Sequence, residues 1–229
     1  METTTFNVQN VFSEKSQYWD SKNENILQIK GESERLLNLL PIYVHSSFNV
    51  LEIGSGTGKI IKKILNMEKE INLFATDLSI DMLQKIKKNT KNSKINLVVN
   101  DAHSLPFRNN TFDLIILQQV IHHLRHPERA MMEIGRVLKK GGKILLLAVG
   151  SGYQKNIFPF SNLHITEDYL GRITVTDIQN LVESAELSLI TIFQDFFKFT
   201  FANFESYFRF MDSIGALNKP FGYRTDHVC

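Results

Sequence analysis

Cysteine is nearly missing from this chain. The single thiol, Cys229, stands at the end of the sequence. An intrachain disulfide therefore cannot form, and neither thiol catalysis nor a cysteine-held metal is expected. Long apolar runs are missing as well. None approaches the roughly 20 residues that a bilayer-spanning helix needs. Residues 1–20 are polar and carry no hydrophobic signal core, so export is not expected. Charge of one sign is also scarce: 26 basic side chains against 24 acidic ones leave a net charge of +2. That balance is too mild for a large nucleic-acid surface. Internal repeats and low-complexity linkers are absent too. These absences together lead us to expect a cytoplasmic protein with no metal, no nucleic-acid partner and no membrane partner.

What is present suits a folded α/β chain. Hydrophobic residues make up 43% and charged residues 22%, enough core and little enough charge to exclude disorder. Residues 24–40 have a helical apolar face, which Pro41 is expected to close. From Asn49 the chain alternates strands and helices. Strands are expected at Asn49–Ile53, Ile71–Thr76, Ile95–Val99, Phe112–Leu117 and Lys143–Val149. Helices are expected at Gly58–Met67, from Ser79 to about Lys88, and at Glu128–Leu138. The basic run Lys85–Lys91 reads as the solvated face of the second of these. Strands alternating with helices at this spacing imply a parallel sheet covered on both faces. Residues 151–173 interrupt the rhythm as an insertion. A helix at Thr176–Glu186, a strand at Ser188–Phe193 and an antiparallel strand at Phe196–Ala202 are expected to complete the sheet. The implied organisation is a helical cap over residues 1–45, a core over 46–202, and a C-terminal helical extension over 203–229.

The chemistry begins at Val50–Gly58, a strand ending in Gly54-Ser55-Gly56-Thr57-Gly58. Glycine there lets backbone approach a ligand closely and accepts positive φ. The spacing is G-x-G-x-G. A dinucleotide turn reads G-x-G-x-x-G, with its third glycine beneath a pyrophosphate, whereas Lys59 and Ile60 follow Gly58 here. Gly54, Ser55 and Gly56 are better suited to a ribose and an amino-acid tail lying over them. An enzyme using NAD or a nucleotide sugar is the rival reading of the same turn. Asp77 ends the second strand, placed to accept hydrogen bonds from vicinal ribose hydroxyls. Ser79 supplies the helix cap, which leaves Asp77 for that task. Asp101 follows the third strand, placed to accept from an adenine amino group, with the Ala102 N–H for a ring nitrogen. Leu78 and Met82 are candidates for apolar contact with the adenine faces, or for core. The expected ligand is an adenosine bearing an amino-acid tail.

Taken in order, these motifs resemble class I S-adenosylmethionine-dependent methyltransferases of the small-molecule group. The likeness covers Asn49–Val149. It runs from the glycine turn through Thr76-Asp77-Leu78-Ser79, Asn100-Asp101-Ala102 with Leu105-Pro106-Phe107, and Phe112-Asp113-Leu114-Ile115 with Ile121-His122-His123-Leu124. It ends on the stretch Glu133–Gly142. The resemblance implies a Rossmann-like, doubly wound sheet of seven strands, mostly parallel with a final antiparallel strand. It also implies S-adenosylmethionine as cofactor, with binding roles for Glu52, Gly54, Gly56, Asp77, Asp101, Ala102 and Gln118. Phe201–Ala216 is similar to the C-terminal region of malonyl-carrier-protein O-methyltransferases of biotin synthesis, and the core is similar to quinone-biosynthesis C-methyltransferases. The acceptor is accordingly expected to be a small molecule or a carrier-bound group. Acceptor atom and oligomeric state are not legible.

Methyl transfer from a sulfonium is an in-line displacement of a leaving group already activated by its charge. Alignment and desolvation carry most of it, and a base matters only for an acceptor that must lose a proton. His123 is the candidate base, ahead of its neighbour His122. A metal on His122 and His126 is not expected, because Pro127 interrupts their helical spacing and no carboxylate completes the set. Tyr18, Trp19, Phe158, Phe160 and His164 are candidates for a lid or an acceptor pocket. No Asn/Asp-Pro-Pro-Tyr/Phe sequence occurs, which sets aside amino methylation of adenine or glutamine.

Overall fold

The computed structural model describes residues 34–90, 94–148 and 173–193. Helix α1 (Glu34–Tyr43) leads into β1 (Asn49–Ile53), α2 (Lys59–Leu65), β2 (Asn72–Asp77), α3 (Ile80–Thr90) and β3 (Ile95–Val99). After these come β4 (Phe112–Gln118), a 3-10 turn (Ile121–His123), α4 (Pro127–Val137), β5 (Leu138–Leu147) and α5 (Val175–Ser184). The five strands lie in the order β3-β2-β1-β4-β5, and every pair is parallel.

The strand sequences dictate this burial. β4 reads FDLIILQ and β1 reads NVLEI, and nearly every side chain in them is buried, as a strand covered on both faces requires. Alternate residues feed two cores. Val50, Leu114 and Ile116 pack against Ile60, Ile61 and Ile64 of α2 and against Leu83 and Ile86 of α3. Leu51, Ile53, Ile115 and Leu117 pack against Ala130, Met131 and Ile134 of α4 and Leu181 of α5. Helices thus lie on both faces, with crossovers diverging from β1 to β2 and from β4 to β5. That divergence puts a ligand crevice at the carboxyl ends of β1 and β4.

Three expectations change. Pro41 does not close α1, which continues to Tyr43 with the proline inside it. Proline forfeits only its own N–H bond, and Val44 restores the ladder by donating to the Leu40 carbonyl at 2.8 Å. Strand β5 starts at Leu138, directly after α4, and not at Lys143. Phe112 pairs with Leu138 and Leu114 with Lys143, so Lys139–Gly142 bulge out between them, with Gly141 at φ +79°. Ser188–Phe193 is irregular chain and not a strand. Its expected hairpin partner at 196–202 lies outside the described residues. The described sheet is therefore five-stranded and wholly parallel. The expected helix after the insertion is present as α5. Thr174 caps it, accepting from the Asp177 N–H while the Asp177 carboxylate accepts from Thr174.

Candidate functional site

The carboxyl ends of β1, β2, β3 and β4 gather most of the candidate residues. Parallel register aligns Ile53 with Thr76 and with Leu117, and Asp77 with Val99. Gly54, Asp77, Asp101 and Gln118 therefore leave the sheet along one edge.

The turn after β1 owes its shape to two glycines in particular. Gly54 has φ +65°, and a Cβ there would lie 2.4 Å from Val120 Cγ2. Both the backbone and the β4 loop thus require glycine. Gly56 has φ +52°, yet a Cβ would meet nothing within 4 Å. Its outer face is open space. Ser55 points inward: it is buried, and its hydroxyl donates to the Glu52 carbonyl at 3.1 Å or the Thr76 carbonyl at 3.2 Å. Its side chain fixes the turn, so only its backbone remains near the open face.

Asp77 reaches across to this turn. One carboxylate oxygen accepts the Gly56 N–H at 2.9 Å and the other accepts the Ser79 N–H at 2.9 Å. Ser79 Oγ in turn accepts the Met82 N–H at 3.4 Å, so the serine does cap α3 as expected. Burial pushes the Asp77 carboxyl up, and the N–H groups of Ser79, Gly56 and Leu78 offset only part of that rise. Glu52 lies deeper, 2% exposed. Burial drives its carboxyl well above the usual range, the nearby Asp77 adds to the shift, and a hydrogen bond from the Ile61 N–H opposes it. Ile61 is the third residue of α2, whose N-cap Gly58 offers no side chain. Glu52 therefore caps that helix from the strand before it. Its Oε2 is buried with no hydrogen-bond partner. Neither carboxyl is ion-paired among the described residues, so the turn encloses two desolvated carboxyl groups with no cation of those residues against them.

Asp101 opens the loop after β3 and is 56% exposed. Its Oδ1 accepts from the backbone N–H of His103 at 3.0 Å and from the His103 ring. Burial alone would raise this carboxyl; the hydrogen bonds from His103 and the charge of Arg129 outweigh it and hold the group low. Ala102 is buried beside it. Leu78 stands on the rim at 37% exposure, with Ile80 two residues on and Val99, the β3 partner of Asp77, also exposed. Met82 is buried, which places it within the packing of α3 and not on an open surface. Gln118 is half-buried at the end of β4.

His123 is exposed and His122 half-buried on the 3-10 turn after β4. Their ring centroids lie 4.2 Å apart. Among the described residues no cluster of three His, Cys, Asp or Glu side chains is placed to hold a metal ion, and no helix is long and apolar enough to cross a membrane. Tyr18, Trp19, Phe158, Phe160 and His164 lie outside the described residues. A cleft of about 300 Å³ lined by Tyr43, His45, Phe48, Asp113 and Lys139–Lys143 sits at the opposite, amino end of the strands, away from every candidate residue.

Sequence reasoning missed what holds the Asp101 loop. Arg136 uses all five of its N–H donors there. It bonds Glu133 twice, the carbonyls of Leu105 and Phe107 at 2.9 and 2.8 Å, and Asn109 at 2.8 Å. Glu133 in turn accepts the Leu105 N–H at 2.8 Å. The i,i+3 spacing of Glu133 and Arg136 on α4 was legible as a pair. Its target, 27 or more residues earlier in sequence, was not.

Comparison with known proteins places this geometry. Residues 51–146 match the methyltransferase domain family. The chain is 30% identical over 150 residues to the ubiquinone/menaquinone biosynthesis C-methyltransferase of a Ruegeria species, covering 59% of this chain and 58% of the relative. It spans less than two thirds of the length of the curated relatives it matches first. Among solved structures, a methyltransferase of Aquifex aeolicus described as dependent on S-adenosylmethionine aligns with TM-score 0.56 at 15% identity, covering 76% of this chain and 87% of that one. The 4+2 cyclase SpnF aligns with TM-score 0.63 at 19% identity, covering 78% and 70%. At these identities the structures share the fold.

Proposed function

We propose that residues 51–146, which match the methyltransferase domain family, form a class I, S-adenosylmethionine-dependent methyltransferase domain. On that premise the chain binds S-adenosylmethionine along the carboxyl edge of the sheet and transfers its methyl group to a small organic acceptor. The observation that carries this reading is the enclosed pair Glu52 and Asp77 beside the open face of Gly56. The pair is desolvated and unmatched by any cation of the described residues, so a positive group placed beside it would favour the ionised carboxylates. S-adenosylmethionine carries two positive groups, its ammonium and its sulfonium, and two ribose hydroxyls.

In this reading each Asp77 oxygen keeps a lone pair for one ribose hydroxyl while holding the turn. The amino-acid tail lies over Gly54, Ser55 and Gly56, with Glu52 beneath and Gln118 beside it. The adenine sits against Leu78, its amino group on Asp101 and a ring nitrogen on the Ala102 N–H. Met82 supports that wall from within α3. The acceptor's electron pair attacks the methyl carbon in line with the carbon–sulfur bond. That bond breaks with its electrons returning to sulfur, which leaves neutral S-adenosylhomocysteine. Where the acceptor must shed a proton, His123 is the exposed imidazole at that edge to take it. The quinone-biosynthesis relatives support a small-molecule acceptor. A carrier-bound acceptor rests on the likeness of residues 201–216.

Because the same fold also carries a cyclase, the test separates binding from transfer. Calorimetry with S-adenosylhomocysteine is expected to show saturable binding to wild type. Asp77→Ala removes two charge-assisted hydrogen bonds and is expected to cost about a hundredfold in affinity. No binding to wild type would sink the reading, and equal binding by the variant would remove the ribose assignment. Transfer is read separately, as a drop in turnover for His123→Ala with cofactor affinity kept.

A further inference from the structure

His103 stands where two loops meet, the one leaving β3 and the one joining β4 to α4. Its backbone N–H and its ring Nδ1 both reach Asp101 Oδ1. A carboxylate only accepts, so Nδ1 carries the proton. The neutral ring then presents Nε2 as an acceptor, and Nε2 receives the backbone N–H of His126 at 3.3 Å. His126 is the N-cap residue of α4, and its own side chain makes no cap bond. Its carbonyl accepts from the N–H groups of Arg129 and Ala130, at 3.1 and 3.3 Å. The ring of His103 also meets that of His126 edge to face, with centroids 6.1 Å apart. One imidazole therefore grips the carboxylate on one loop and the helix entry on the other. The residues so joined lie 23 positions apart in sequence.

We infer that His103 is a positioning residue. It fixes the Asp101 carboxylate with Oδ2 turned outward for the adenine amino group, and it fastens the His122–His126 segment to the same point. The inference rests on the proposed cofactor reading, because it gives Asp101 its ligand. It adds a link between the two halves of the site: the loop that meets the adenine and the loop that carries His123 share one hinge pin. His103 is 17% exposed, so the pin is largely shielded from solvent, while Asp101 at 56% exposure keeps an open side. The groups facing the ring are Asp101 on its own loop and His126 on the other. Glu128 lies 3.5 Å from the His126 ring, and Arg129 acts on Asp101.

Three measurements on the full chain test this. Nitrogen-15 NMR of the ring in wild type is expected to show the Nδ1–H tautomer, with the His126 amide protected from hydrogen exchange. An Nε2–H tautomer would overturn the inference even if no variant could be purified. Calorimetry with S-adenosylhomocysteine then compares wild type, Asp101→Asn, His103→Ala and His103→Gln. His103→Ala is expected to bind at least about fivefold more weakly and to lose His126 protection, with the thermal midpoint showing it folded. His103→Gln keeps one donor and one acceptor and is expected to retain most of the affinity. Unchanged affinity in His103→Ala beside a weakened Asp101→Asn overturns the positioning role alone. An equal fall in both His103 variants assigns the residue to packing and overturns it as well. Failure of wild type to bind at all overturns the cofactor reading first, and this role with it.

Discussion

At the scale of single residues, the site is built from groups that cost stability where they sit. Glu52 is the clearest case, a carboxyl 2% exposed with Oε2 unpartnered. Its folded-state pKa is raised, by burial first and by Asp77 second. The unfolded chain therefore releases this proton at lower pH than the native one does. Between the two values the native state binds more protons, so stability falls as pH rises. The contribution is whole below the ordinary glutamate range and lost as pH climbs through the raised value. Asp77 has the same sign. One such group lowers stability by at most about 1.4 kcal/mol per pH unit within its window. Glu52→Gln keeps an oxygen for the Ile61 N–H and removes the titration. Urea unfolding at pH 5 and pH 8 is expected to show wild type losing stability over that interval and the variant losing less. A variant with the full wild-type slope would mean that Glu52 is not the group responsible. The same substitution is expected to weaken S-adenosylhomocysteine binding, which would account for keeping a destabilising group.

At the scale of elements, the turn between β1 and α2 separates what folding needs from what binding needs. Gly54→Ala meets Val120 and keeps a left-handed φ, so it is expected to cost roughly 2–4 kcal/mol of stability. Gly56→Ala pays only for its φ of +52° and enters open space, so about 1 kcal/mol is expected, with most cofactor affinity lost. Thermal melts paired with calorimetry check both; a Gly56→Ala variant that binds normally would show that nothing lies over that turn. The sequence made much of this element legible. Its G-x-G-x-G spacing, the strand before it and Asp77 at the next strand's end are local patterns, set by steric rules that act over a few residues. The Glu52 cap on Ile61, the His103 bridge and the Arg136 clamp were not legible. The first depends on how the turn folds α2 back onto β1 and the other two on loops brought together by the sheet, and a lone polar residue carries no mark of its partner. The Lys139–Gly142 bulge was misplaced for a related reason. Cations followed by glycines signal a helix end equally well when the strand has already begun.

At the scale of the whole molecule, the sheet joins two cores and the site hangs from its carboxyl edge. Strand order, parallel register and the two helical layers follow from apolar strands alternating with amphipathic helices, which is why the doubly wound core could be expected. Strand number beyond five could not be settled by that pattern, since Ser188–Phe193 has the composition of a strand yet runs irregularly. One aromatic cluster ties edge and core together. Phe112, fully buried, meets Phe74 and Phe107 edge to face, at 5.3 and 4.9 Å between centroids. Phe107 belongs to the loop that Arg136 clamps, so this cluster supports the Asp101 loop from below. Phe112→Ala is expected to cost about 3–5 kcal/mol, a large share of the 5–15 kcal/mol typical of a domain. A ligand that binds only the folded chain returns about 2.7 kcal/mol at a hundred times its dissociation constant. Urea unfolding of Phe112→Ala is therefore expected to recover between about half and nine tenths of its loss when S-adenosylhomocysteine is added at that excess. Recovery requires that the ligand site survive the cavity. If wild type gains stability from the ligand and the variant gains none, the damage has spread to the Asp101 loop, and the cluster is part of the site's scaffold as well as of the core.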